Sequence, residues 1–314
     1  MTPVFPGFLD AHVHLALIDP AGLAAGGIAR VLDLGGWTPA GTDPPTGPGA
    51  AAGPAAQPEV RHAGQFLGAP DGYPSRQAWA PAGSSCPVAS PAEADTAVHR
   101  QAQTGAAVIK VTLNSAAGPV LDRDTLTAIV AAAHERMLPV AAHTEGPGQA
   151  AAAFAAGVDV LAHTPFSERL PDELIAAMAG PMTWISTLDI HGWGEPTAAF
   201  SVASDNLARF HAAGGRVLYG TDLGNGPLPV GLNRREIDAL LACGLSPDDV
   251  LTALTAEFPR YPARGPAASA PAASDRVSVI SADRPTDPHD LAGFTDWLLT
   301  ACALPRADLE DLRS

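Results

Sequence analysis

Short apolar runs at residues 5–14, 30–35, 60–68, 107–113, 139–143, 158–163, 183–190 and 216–222 read as eight strands. Between most of them, apolar residues recur at helical spacing and predict helices over 18–29, 92–103, 124–136, 148–156, 171–179 and 197–213. Ser90-Pro91 is a start signal for the second of these, and Gly157 and Gly214-Gly215 are stops. Residues 233–258 predict one or more further helices, with a fresh start at Ser246-Pro247-Asp248-Asp249. Strands alternating with helices predict an α/β fold around a parallel sheet. The rhythm lapses over 38–58, where Gly, Pro, Ala and Thr predominate and an irregular loop is expected in place of a helix. A second long loop follows the third strand and carries Tyr73 and Trp79; loops of that length in a compact domain are commonly functional.

Two architectures suit this pattern, a closed (β/α)8 barrel and a doubly wound open sheet. The polar residues favour closure. His12 and His14, Lys110, His143, His163 and Asp222 fall at the C-terminal ends of strands one, four, five, six and eight. Barrel active sites are built on that rim, and a closed ring lets these side chains converge where an open sheet would string them along one edge. The expectation is a (β/α)8 TIM barrel over 1–258, a Pro/Ala-rich linker over 259–275, and a C-terminal extension over 276–314 with a strand at 276–280 and a helix at 290–300.

Composition bounds the function. With 314 residues, 46% of them hydrophobic, the chain can bury the core of one such barrel. Eighteen basic against 33 acidic residues give a net charge of -15, which argues against nucleic acid and against an anionic membrane surface. Cys86, Cys243 and Cys302 have no metal-binding or disulfide spacing. No charged-then-apolar leader and no long apolar run is present, so a soluble cytoplasmic enzyme is expected. The partner expected is a small-molecule substrate, and a homo-oligomer is left open.

In a strand, side chains alternate between faces, so His12 and His14 should share one face with Asp10 while Leu9, Ala11 and Val13 take the other. Two imidazoles so placed are either half a metal site or a surface pair at a strand end. Four histidines and an aspartate suit zinc or a similar divalent ion, and the absence of cysteine ligands suits a catalytic site. Lys110 fits in one of two ways. A protonated ammonium is no ligand, but carbamylation by carbon dioxide would turn it into a bridging carboxylate. The alternative is an interior lysine paired with Asp222.

The run Pro6-Gly7-Phe8-Leu9-Asp10-Ala11-His12-Val13-His14, with Val108-Ile109-Lys110-Val111, Ala142-His143, Ala162-His163 and Gly220-Thr221-Asp222, resembles the motifs of the amidohydrolase superfamily. Residues 157–163 and 276–283 are most similar to its imidazolonepropionase and prolidase-like branch. The resemblance implies a binuclear centre of two divalent ions, most simply Zn2+. His12, His14 and Asp222 would hold one ion and His143 and His163 the other, bridged by carboxylated Lys110 and a hydroxide, with Asp222 as proton shuttle. It implies hydrolysis of a C–N bond in an amide, peptide-like or cyclic amide substrate. A lactonase or esterase, a mononuclear deaminase and a non-catalytic metal-binding barrel are the alternatives. Members of this branch carry a small β-sandwich built from both chain ends. Here the first barrel strand begins at residue 5, so the N-terminal half is expected to be missing and 276–280 to lack partners.

Outside the ligand set, His191 at the rim after strand seven either contacts substrate or packs its loop, and Tyr73 and Trp79 either wall the pocket or anchor theirs. Asp10 is expected to support the histidines by a hydrogen bond rather than to ligate. His99, His134 and His211 fall on helices and read as solvated. Glu145 stands two residues after His143, closer than the glutamate of the superfamily's deaminases.

Overall fold

The chain is described here from a computed structural model covering residues 3–36, 57–262 and 275–309. Most of the loop expected over 38–58 and of the linker expected over 259–275 lies outside the described residues. In chain order the elements begin with β1 (Val4–Pro6), β2 (Phe8–Val13), β3 (Ile28–Asp33), β4 (Glu59–His62), β5 (Phe66–Gly68) and β6 (Ser85–Pro87). They continue through α1 (Pro91–Gln103), β7 (Ile109–Asn114), α2 (Arg123–Glu135), β8 (Val140–Glu145), α3 (Gln149–Ala155), β9 (Val160–Leu161) and α4 (Asp172–Ala179). The rest are β10 (Thr183–Ile185), α5 (Ala198–Ala212), β11 (Arg216–Leu218), α6 (Arg234–Ala242), α7 (Pro247–Thr255), β12 (Arg276–Ile280), α8 (Leu291–Leu298) and β13 (Ala301–Pro305).

Parallel pairing joins β2, β3 and β4, and separately β11, β10, β9, β8, β7, β5 and β6. Backbone hydrogen bonds close the two runs into a ring. The Ala11 N–H donates to Tyr219 O, that of Asp222 to His12 O and that of His14 to Leu223 O, uniting the first strand with the eighth. Across the other seam, Ala107 N–H donates to His62 O. The barrel is therefore an eight-strand ring in which β4 and β5 are two pieces of the third strand. Gly64, at φ +78°, breaks that strand, and a Cβ there would lie 2.4 Å from Gln101 Oε1. Among the described residues no helix is long and apolar enough to cross a membrane.

Two apolar layers follow. Inside the ring, Leu9, Leu32, Val108, Ala141, Val160, Ile185 and Leu218 pack around Phe258, over which the Arg61 guanidinium sits at 4.4 Å. Outside it, Ile109 and Val111 pack against Leu126, Ile129 and Val130 of α2. In β7 the strict alternation holds: Ile109, Val111 and Leu113 join the outer layer, and Lys110 and Thr112 line the pocket. In β2 it does not. The register shifts between Asp10 and Val13, Ala11 joins the inner cluster with Leu9, and Val13 joins the outer one. The single apolar face expected for Leu9, Ala11 and Val13 is thus divided by a bulge, which re-aims side chains at a barrel rim.

Three other expectations are corrected. Residues 18–29 form no α-helix. The segment contains a 3-10 turn at Pro20–Gly22 and then enters β3. A Cβ at Gly26 would lie 2.6 Å from Gly231 Cα, so two backbones touch where a helix would need side-chain room. The strand at 276–280 has partners on both sides, because β12 pairs antiparallel with β1 and with β13. Ser278 is buried at their centre, accepting from Phe8 N at 2.8 Å and donating to Gly27 O at 2.9 Å. His134 is not simply solvated. Its Nε2 lies 2.9 Å from Asp159 Oδ2, and its ring stacks on Tyr261 at 3.6 Å.

Candidate metal centre

The proposed ligands stand on the barrel strands or just past them, and Lys110, expected at a strand's C-terminal end, lies near the start of its strand. His12 and His14 lie at the end of β2, Lys110 within β7, His143 within β8, His163 two residues past β9, and Asp222 four residues past β11. All six line one pocket of about 210 Å³, and all are buried. Asp222 reaches it from a left-handed backbone, φ +58°, a conformation that costs a non-glycine residue and is commonly retained at functional sites.

The imidazoles are aimed by the backbone. His12 Nδ1 lies 2.8 Å from Ala162 O, and His14 Nδ1 lies 2.7 Å from Gly35 O, so each presents Nε2 to the pocket. His163 Nδ1 lies 2.9 Å from Thr187 Oγ1. Hydrogen bonds of this kind fix ring orientation in metal sites. His12 Nε2 and His14 Nε2 each stand 3.1 Å from Asp222 Oδ1. Yet neither His12 Nε2 nor Asp222 Oδ1 finds hydrogen-bond geometry, and the Lys110 Nζ is likewise buried without a partner. Buried polar atoms are ordinarily paired. Facing imidazole nitrogens and a carboxylate oxygen left unpaired form a donor set that a cation would satisfy. His12, His163 and Asp222 offer donor atoms all within 4.8 Å of one another. That group crosses the two ligand sets expected from the motifs, since it takes one histidine from each.

Charge agrees with this reading. Burial alone would push the Asp222 carboxyl up, but His12, His14 and His163 outweigh it and hold it well below the usual carboxylate range. Burial holds His12 and His163 well below the ordinary histidine value and lowers His143, so all three favour the neutral form a metal needs. His14 goes the other way: burial lowers it, but Asp222 and Asp33 raise it further. Lys110 is brought down to about 7, chiefly by burial.

Asp10 touches no pocket atom. It accepts from His12 N, Thr221 N and Thr221 Oγ1, at 3.1, 3.0 and 2.6 Å, and so ties the His12 segment to the one bearing Asp222. Tyr73, Trp79 and His191 all line the pocket. Tyr73 stacks on His143 at 4.9 Å, and its carbonyl accepts from Thr112 Oγ1, which fixes the long loop to β7. His191 packs on Phe166 at 4.2 Å; burial lowers it to about 4, and its Nε2 is unpartnered. Sequence reasoning missed Phe66, Phe166, Trp193 and Asn225 as lining residues. It also passed over Thr187 and dismissed Glu145, whose Oε2 lies 3.3 Å from His143 Nε2.

The barrel and the buried His, Asp and Lys side chains at its rim define a barrel protein with a polar site that could hold a metal ion. The chain belongs to the amidohydrolase family, whose profile matches residues 4–260. Its fold is similar to that of an ochratoxinase from A. niger (TM-score 0.68, 20% identity, covering 93% of this chain and 80% of that one). It is also similar to an Xaa-Pro dipeptidase with bound methionine in the active site (0.65, 18%, 94% and 84%) and to molinate hydrolase (0.64, 17%, 94% and 80%). No curated protein sequence matches the chain.

Proposed function

We propose that the chain hydrolyses a C–N bond of an amide, peptide-like or cyclic amide small molecule. His12, His14, His143, His163, Asp222 and a carboxylated Lys110 would hold two divalent ions, most simply Zn2+. Those ions would supply Lewis acidity and lower the pKa of water at the site towards about 7. The observation that carries this reading is the buried, unpartnered Nζ of Lys110 facing Asp222 and the histidines. A buried ammonium without a partner is expensive. A neutral amine, which burial already favours, can add to carbon dioxide and lose a proton to become an anionic carbamate suited to neighbouring cations. Asp222 is held ionised, and its Oδ2 is steadied by Asn225 Nδ2 at 2.9 Å. It takes the proton from water at Oδ1 and returns it to the leaving nitrogen. Thr112 fixes the long loop through the Tyr73 carbonyl, and Tyr73 packs on Trp79 beside the pocket.

The name of each structural relative describes that protein alone, but dipeptidase and molinate hydrolase are consistent with carbonyl hydrolysis on this fold. The test is a panel of aminoacyl anilides, N-acyl amino acids, hydantoin-like rings, amino-heterocycles, lactones and aryl esters, assayed with Zn2+ and bicarbonate and again after chelation. Chelator-sensitive release of an amine supports the reading. Turnover confined to lactones and esters replaces it with esterase chemistry, ammonia release from an amino-heterocycle with a deaminase, and no turnover anywhere with a binding barrel.

A further inference from the structure

The ligand set occupies the floor of the pocket, and what stands around it differs in kind. Phe66, Tyr73, Trp79, Phe166 and Trp193 are aromatic, and Glu145 is the one acidic side chain besides Asp222 among the described lining residues. Three of these rings form a continuous wall: Tyr73 and Trp79 lie 6.0 Å apart, Phe66 and Trp79 6.5 Å apart edge to face, and Tyr73 is stacked on His143. Glu145 adjoins that wall through His143. Asn114 Nδ2 at 2.7 Å and His143 Nε2 at 3.3 Å both bond its Oε2, and no described residue bonds its Oε1. The carboxylate is thus held in place with one oxygen free, its side chain about a third exposed.

A fixed carboxylate beside aromatic faces is the arrangement that recognises an organic cation, through ion pairing and attraction to the ring quadrupoles. Among the described lining residues the basic aliphatic side chain is Lys110, buried at the pocket floor with the proposed ligands and away from the partly exposed Glu145. The net charge of -15 adds a field of the same sign. We infer that Glu145 is a specificity residue, and that the part of the substrate lying between Glu145 and the Tyr73–Trp79 wall carries an ammonium or other organic cation rather than a carboxylate. This deepens the proposed function by naming the substrate class as cationic amides, such as aminoacyl amides with a free amino group.

The test separates binding from turnover. Calorimetric titration of metal-loaded protein with benzyltrimethylammonium, benzyl alcohol and benzenesulfonate compares cation, neutral and anion of similar shape, none of them hydrolysable. The cation should bind about tenfold more tightly than the anion. Glu145→Gln should remove most of that margin while leaving benzyl alcohol binding and thermal stability in place. A preference for the sulfonate overturns the inference, as does a cation preference that survives in Glu145→Gln. Equal weakening of all three ligands also overturns it, because that is the signature of a merely structural role. Cation binding that depends on Glu145 in a protein that turns over no amide upholds this inference and removes only the hydrolase reading.

Discussion

Asp222 is under opposing demands. Burial favours its neutral acid, three imidazoles favour its anion, and the anion wins. The proposed role as proton carrier predicts that Asp222→Asn lowers kcat by about 10²–10⁴-fold while near-UV circular dichroism stays native. Wild-type turnover in that variant would remove the role. Thr187 acts one step further out. It sits at φ +42° and bonds His163 Nδ1, so Thr187→Val, which keeps the shape and loses the hydroxyl, should weaken metal affinity by about 10–100-fold, read by competition with a chromogenic chelator. Glu236 is the third residue with a measurable consequence. It is fully buried below the rim, and its Oε2 accepts from Asp189 N at 2.8 Å. Burial raises its carboxyl from 4.5 to about 7, with Asp189 adding to the shift. The folded state therefore holds this proton more tightly than the unfolded chain. The associated stability is fully present below about pH 4.5 and is lost as pH rises through about 7, by about 3 kcal/mol at most. Glu236→Gln should flatten the denaturation midpoint between pH 5 and 8; an unchanged slope would show that Glu236 does not titrate there.

At the scale of elements, the parts legible in the sequence were those whose side chains answer to one environment. β7 and β8 are buried on both faces and punctuated by Lys110 and His143, so run length and the polar residue within the run sufficed. The helices α1, α2, α5 and α7 announced themselves by period and by start and stop residues; Asp122, Thr197 and Ser246 cap α2, α5 and α7 with their side chains, whereas Ser90 makes no such bond to α1. Elements defined by contact between distant segments were not legible. Nothing local marks the approach of Gly26 to Gly231, which replaces a helix with turns. Residues 301–305, just past the helix expected at 290–300, form β13 on the edge of β12. The ligand residues could be found because they are chemically conspicuous in or just past the strands. Thr187 and Glu145 could not, since Thr187 meets His163 only when β9 and β10 lie side by side, and Glu145 meets Asn114 only when β7 and β8 do. The small sheet also makes a prediction of its own. Ser278→Ala would leave the buried Phe8 N–H without its acceptor and should cost about 1–3 kcal/mol, measured by urea denaturation. A loss near zero would mean that β1 and β12 do not anchor the barrel's first strand.

On the scale of the whole molecule, ring closure is what makes the chemistry conceivable. Three backbone hydrogen bonds between the first and eighth strands bring Asp222 against His12 and His14, residues more than 200 positions away in the chain. The same closure leaves Lys110 Nζ, His12 Nε2 and Asp222 Oδ1 buried and unpaired at the centre. The central claim is that these residues, with a carboxylated Lys110, would hold two metal ions. Metal content per chain tests it most directly, measured by elemental analysis on protein purified without chelator and supplied with bicarbonate and Zn2+. Two equivalents in the wild type, falling in Lys110→Ala, is the result predicted. One equivalent indifferent to Lys110, or none, would contradict the bridged centre and with it the hydrolytic mechanism built upon it.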